Sequence, residues 1–181
     1  MQLKNNLFSI HWFRKDLRLN DNPSLNYLSK NNKNILGIFI YDDVNCSREL
    51  GSASKIWLHN SLKDLNSRLK NKLILLRGDP LKIFDDILNK YNIEEICWNR
   101  CYEPWVINRD TKIKAKLKGR TKINSFNSLL LWEPWEILKQ DGTPYKIFTP
   151  FYRKGCLGDE SLPRKPEKNS DIVYFKEDLP L

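Results

Sequence analysis

Short apolar runs, each followed by a helix-length segment, constrain this chain more than any other feature of its sequence. Leu7 to Phe13, Ile35 to Tyr41, Leu73 to Leu76 and Glu95 to Asn99 are rich in β-branched and aromatic residues. They show no one-sided alternation, which is the pattern of strands buried on both faces. Thr121 to Phe126 is a weaker fifth run. The clearest helix between them is Ser54 to Lys70, where Ile56, Trp57, Leu58, Leu62, Leu65 and Leu69 form an apolar face at helical spacing.

Two further helix starts carry local chemistry. Asp79 caps a helix whose first residue is Pro80, because proline lacks the N–H that a first turn leaves unpaired; this helix runs to Lys90 or Tyr91. Another begins at Glu103-Pro104, continues through the basic stretch Arg109 to Lys118 and ends at Gly119. Repetition of strand and helix implies a five-stranded parallel sheet with right-handed crossovers and helices on both faces. This is a Rossmann-like three-layer α/β arrangement, whose ligands sit beyond the carboxyl ends of the strands.

The rhythm stops at Leu131. Trp132-Glu133-Pro134-Trp135 and Asp141-Gly142-Thr143-Pro144 read as loops, with room for a helical turn between Phe148 and Gly155. We expect one α/β domain over residues 1–155. Residues 156–181, with Pro163, Pro166 and Pro180 among mixed charges, read as an extended tail or the start of a linker.

Several chemistries are disfavoured. No GxGxxG follows the first strand, no GxxxxGK[ST] occurs, and the chain has seven glycines, so a dinucleotide cradle is not expected. His11 and His59, the only histidines, have no metal-ligand spacing and read as structural. No GxSxG elbow marks a serine hydrolase. Cys46, Cys97, Cys101 and Cys156 contain no CxxC pair and are expected as reduced thiols, with no metal site. No apolar run reaches the ~20 residues of a bilayer span, and no signal core opens the chain, so the expected location is cytoplasmic. The formal charge of +9 has two readings: an anionic partner, nucleic acid first among them, or the diffuse solvated surface of a Lys- and Asn-rich sequence.

One stretch is more specific. His11-Trp12-Phe13-Arg14-Lys15-Asp16-Leu17-Arg18-Leu19-Asn20-Asp21-Asn22 resembles the WFRxDLRxxDN opening of the photolyase/cryptochrome family. Arg14, Asp16 and Arg18 set alternating charges where the chain leaves the first strand, which suits an anionic ligand or an inter-domain ion pair. Ile35 to Asp42 resembles the family's second strand and its exit. Trp98-Asn99-Arg100-Cys101-Tyr102-Glu103-Pro104-Trp105, completed by Arg109-Asp110, resembles WNxxxEPxxxxRD. Tyr145 to Phe151 resembles the YxVFTPF stretch that closes the domain.

The resemblance implies an N-terminal α/β domain that binds an antenna chromophore. Methenyltetrahydrofolate is favoured, with deazaflavin or FMN as alternatives. It also implies a helical FAD-binding domain, in cis or trans and outside this chain, where light-driven splitting of pyrimidine dimers in damaged DNA occurs. This chain alone is then not a competent enzyme, although its parent is a lyase. A cryptochrome domain and a free-standing folate- or nucleotide-binding protein remain alternatives. Carried over by motif, Glu103 is the antenna contact, because a carboxylate accepts hydrogen bonds from a pterin's amino and ring N–H groups. Asn99, Arg100 and Cys101 line the pocket, with Gly37 and Asp42 nearby. The thiol at Cys101 counts against deazaflavin, whose binders in the family tend to be acidic there. The competing reading makes Glu103 an acid favoured by the start of a helix. Arg153 and Lys154 are candidate DNA contacts or a solvated pair. Trp57, Trp98, Trp105, Trp132 and Trp135 are either chromophore-stacking or core residues.

Overall fold

A computed structural model of the chain describes residues 7–31, 34–46, 48–158 and 163–167. Its elements follow in the order β1 (Leu7–Phe13), α1 (Pro23–Asn31), β2 (Ile35–Tyr41), α2 (Ser52–Arg68), β3 (Leu73–Arg77), α3 (Pro80–Lys90), β4 (Asn92–Asn99), α4 (Pro104–Leu117) and β5 (Lys122–Phe126). A short helix, α5 (Phe148–Pro150), runs into a π-helical turn over Phe151–Cys156. The sheet has five strands in the order β3-β2-β1-β4-β5, with each adjacent pair parallel. The expected five-stranded α/β sheet is therefore present.

Strand β1 is buried at every position after Leu7, and β2 at every position before Tyr41. This fits their predominantly apolar character, although Ser9 and His11 are polar groups buried within β1. Side chains of even number in β1 (Phe8, Ile10, Trp12) pack with Phe84 and Ile87 of α3 and Ile113 and Leu117 of α4. On the opposite face, Phe13, Phe39 and Leu73 pack with Leu25 and Leu28 of α1 and Leu65 and Leu69 at the end of α2. Two-sided coverage follows from these two sets of helices.

Local chemistry sets the ends of the helices. The Asp79 carboxylate accepts a hydrogen bond from Leu81 N at 3.1 Å, with Pro80 in the first helical position, as expected. Gly119, just past α4, has φ +83°, a conformation in which a side chain would be strained.

One expectation needs correcting. Of the apolar face read on α2, Leu65 and Leu69 are buried and Leu58 and Leu62 are half-buried, but Ile56 is 64% and Trp57 78% exposed. α2 is seated on the sheet from Leu58 onward, most fully at Leu65 and Leu69, and its first turns are not. Most of the tail expected at 156–181 lies outside the described residues. Where it is described, Arg164 donates to Asp21 at 2.6 Å and the Asn26 side chain to Glu167 at 2.7 Å, so residues 163–167 rest against the start of α1.

Candidate functional site

The chain runs from β1 outward through β2 to β3, then returns to place β4 on the other side of β1. Such a reversal leaves a crevice beyond the carboxyl ends of the strands. A cavity of about 780 Å³ opens there. The exit of β1 (Trp12 to Arg18), the end of β2 (Phe39 to Asp42) and Cys101 after β4 form its inner wall. Trp105, Val106 and Arg109 of α4 close one side. Its outer wall is Cys46, Arg48 and Leu50 of the loop after β2, together with Ser54, Trp57, Leu58 and Ser61 of α2.

A chain of buried charges floors this cavity. Arg14 donates to Asp110 at 2.6 Å and to the backbone carbonyl of Asn99. Arg109 donates to Asp110 and to Asp42, both at 2.9 Å, and its guanidinium lies 4.7 Å from the Trp12 ring and 5.2 Å from Trp105. Arginine's planar fork suits this double duty of paired hydrogen bonds and stacking. Asp16 accepts from Asn99 Nδ2 at 2.5 Å and from Arg14 N at 3.1 Å. Burial nevertheless raises its carboxyl above the usual range, with these hydrogen bonds and the Arg14 charge working against that rise. Burial likewise pushes the Cys101 thiol up, so it lines the cavity as a neutral group.

The residues singled out in the sequence separate into groups. Cys101, Asp42, Arg14, Asp16 and Arg18 lie on the cavity wall. Arg14 and Asp16 find their partners within the domain. Arg18 donates to Ser128 Oγ at 2.6 Å, tying the β1 exit to the loop after β5, and to Asp21 O at 3.0 Å just before α1. Asn99 sits beneath the cavity, accepting from Ser24 N at 3.1 Å and donating to Asn22 at 2.7 Å as well as to Asp16. Gly37 lies in mid-strand, paired with His11 and Leu73.

Arg100 faces the other side of the sheet's end. Its guanidinium makes two hydrogen bonds to Glu133, at 2.6 and 2.8 Å, and lies 5.9 Å from the Trp135 ring. Glu103 precedes α4, makes no side-chain cap, and is ion-paired with Lys15, which lines the cavity. Arg153 and Lys154 are exposed on the π-helical turn. Trp98 is core.

Sequence reasoning left Trp57 as either a chromophore-stacking or a core residue, and did not single out Arg48, Ser54 or Ser61 of the outer wall. The available signal was the placing of Ser54 and Ser61 beside Trp57 and Leu58 on one helical face, a mixed stripe rather than an apolar one. Among the described residues, no cluster of His, Cys, Asp and Glu is suited to a metal ion, and no helix is long and apolar enough to cross a membrane. All four cysteines are free thiols.

The DNA photolyase family model matches residues 9–168. Among curated relatives, the chain is 36% identical over 166 residues to a deoxyribodipyrimidine photo-lyase of Agrobacterium fabrum, covering 88% of this chain and 34% of that protein. It is 33% identical over 165 residues to cryptochrome-1 of Arabidopsis thaliana, covering 88% of this chain and 24% of that protein. Among solved structures, a class III photolyase from Agrobacterium tumefaciens superposes with a TM-score of 0.81 at 32% identity, covering 96% of this chain and 37% of that one. An archaeal photolyase from Sulfolobus tokodaii, solved with two FAD molecules, superposes with a TM-score of 0.77 at 25% identity, covering 94% of this chain and 39% of that one. The chain thus spans between about a quarter and two-fifths of the length of these proteins. With the doubly wound sheet, the crevice beside β1 and a family match over most of its length, the chain belongs to the DNA photolyase family.

Proposed function

We propose that this chain is the antenna-chromophore-binding domain of a deoxyribodipyrimidine photolyase, working in the cytoplasm. The cavity beyond β1, β2 and β4 carries the reading. Its volume of about 780 Å³ lies within the ~300–1,000 Å³ typical of small-molecule sites, and Trp12, Trp57 and Trp105 stand on three of its sides. The residues present fit a planar conjugated ring: indoles to stack on it, a neutral thiol, and carboxylates and cations around the edge. When bound, such a chromophore supplies absorption in the near-UV or blue. The chain's own residues hold and orient it.

Methenyltetrahydrofolate is our first assignment, with Glu103 as the carboxylate facing the pterin and Lys15 linking it to the cavity wall. A flavin or deazaflavin is the second. The archaeal neighbour's two FAD molecules favour it, as does the position of the cavity on the β2 side rather than at Asn99 and Arg100. Repair of pyrimidine dimers belongs, in this reading, to a helical FAD-binding domain acting in cis or trans. Exposed Arg153 and Lys154 then reach DNA phosphates in the complete protein. The similarity to a plant cryptochrome supports a second reading, a blue-light receptor domain.

The test is an absorption and fluorescence spectrum of the purified chain, before and after separate addition of methenyltetrahydrofolate, deazaflavin, FMN and FAD. Retention of a near-UV or blue band through desalting is the expected result and names the chromophore. Loss of all four through desalting would refute the antenna assignment.

A further inference from the structure

The cations of the cavity's inner wall are largely committed within the domain, Arg14 Nε being the one buried donor among them without a hydrogen-bond partner among the described residues. Arg14 and Arg109 are held by Asp110, Asp42 and the Asn99 carbonyl, and their guanidinium faces lie against the Trp12 ring. Lys15 is paired with Glu103, and Arg18 with Ser128 and Asp21. Cations committed in this way have little left for a ligand. Arg48 differs: it lines the cavity from the loop after β2, is exposed, and has no ion pair or hydrogen bond to another described residue.

Trp57 stands out in the same way. The core indoles of Trp12 and Trp98 are 1% and 0% exposed, whereas Trp57 is 78% exposed at the cavity mouth. It is not stranded by a register error in the helix. Ser54, Trp57, Leu58 and Ser61 share one face of α2 and all line the cavity, so that face is aimed at the crevice. The helix is seated most fully by Leu65 and Leu69 at its far end and partly by Leu58 and Leu62, leaving Ser54 and Trp57 on its first turns to form a wall. An indole side chain can bury roughly 150–250 Å². Within the described residues Trp57 buries little of that, and a flat ring entering the cavity would cover one of its faces.

Resting on the antenna reading above, we infer that Trp57 and Arg48 form the outer clamp of the cavity. The indole stacks on the planar ring of the chromophore, and the guanidinium takes its anionic substituent. The class of ligand is thereby narrowed to a conjugated heterocycle that carries a phosphate or carboxylate. Specificity for the anion lies in the loop after β2 and not in the arginines of the floor.

The experiment titrates the chromophore that the wild-type chain retains, chosen from methenyltetrahydrofolate, FMN, FAD and deazaflavin, into Trp57→Ala, Trp57→Phe and Arg48→Gln. Trp57→Ala should raise Kd about tenfold, the scale of one ring-on-ring stacking contact, while Trp57→Phe restores most of the loss. Arg48→Gln should also raise Kd about tenfold and flatten its dependence on salt, since one screened charge contact is removed. Because both residues are exposed, circular dichroism and thermal melting of the variants should match the wild type. A wild-type chain that retains a chromophore, with Trp57→Ala and Arg48→Gln binding it equally well, overturns the clamp and leaves the antenna reading intact. A wild-type chain that retains none of the four overturns both.

Discussion

Arg109 reaches from α4 to Asp42 at the end of β2, with Nη1 2.9 Å from Oδ2, and both side chains are at least nine-tenths buried. The pair bolts the helix that closes one side of the cavity to the strand that floors it. Asp110 joins the same chain from the other direction, held at once by Arg14 at 2.6 Å and Arg109 at 2.9 Å.

Removing a carboxylate here leaves a buried guanidinium short of its counter-charge. Asp110→Asn exposes two arginines to that loss and should cost about 3–5 kcal/mol, the usual cost of breaking a buried pair from one side. Asp42→Asn should cost less, because Arg109 keeps Asp110 and the amide oxygen can still accept from Asn45 N. Urea denaturation of the two variants tests the order. Equal and small losses would mean that the network is solvated.

Acid should weaken the fold through His11. Its imidazole is buried, with Nδ1 3.0 Å from Ser24 Oγ, and desolvation followed by the Arg14 charge lowers its pKa to about 3. In the unfolded chain it titrates near the ordinary value of about 6.5. Between these values the unfolded state binds more protons, so stability falls as pH drops, by at most about 1.4 kcal/mol per pH unit. Asp16 acts in the opposite sense. Its raised carboxyl pKa stabilises the fold most at low pH, and that contribution is lost as pH rises through its folded-state pKa. Replacing His11 by Asn should therefore flatten the decline of the urea midpoint from pH 6.5 downward, or reverse it, and an unaltered decline would count against His11 as its source.

The sheet was legible in the sequence because strands buried on both faces are predominantly apolar. Leu7–Phe13 and Ile35–Tyr41 coincide with the apolar runs. Strand β4 begins earlier than its apolar run suggests, at Asn92, since Asn92 pairs with Leu7 before the register shifts between Phe8 and Ser9. Backbone pairing carries that polar start, and periodicity does not register it.

Periodicity also misread α2, because it records which residues share a face without saying what lies opposite. A sheet covers Leu65, whereas a crevice lies opposite Trp57. The motifs located the strand exits correctly. The division between groups lining the cavity and groups spent beneath it, as with Asn99, follows from hydrogen bonds to residues distant in sequence.

Glu103 offers a direct test of the folate assignment. Glu103→Gln should weaken binding of methenyltetrahydrofolate by about 1.5–3 kcal/mol if the carboxylate accepts from the pterin. The Lys15 pair complicates this reading, since its loss alone alters the wall. That pair is partly solvent-exposed and worth at most about 1 kcal/mol, so Lys15→Ala should weaken binding by no more than that and by less than Glu103→Gln. Titration calorimetry of both variants separates the cases. Unchanged affinity in Glu103→Gln would retire the residue as a pterin contact and leave it as an acid at the start of α4.

Gly155 fixes how the segment after β5 folds back. A Cβ built on it would collide with Cγ2 of Ile137, a buried side chain branched at Cβ and unable to swing clear by rotating its far end. Gly155→Ala should therefore cost about 1–3 kcal/mol in overpacking and loosen the contact between the π-helical turn and the loop carrying Ile137. Adding Ile137→Ala removes the offending methyl group. The double variant should then lose less stability than the two single losses combined, because relief of the collision couples the sites. Additive losses in thermal melts would show that Gly155 is needed for its backbone and not for the space it leaves.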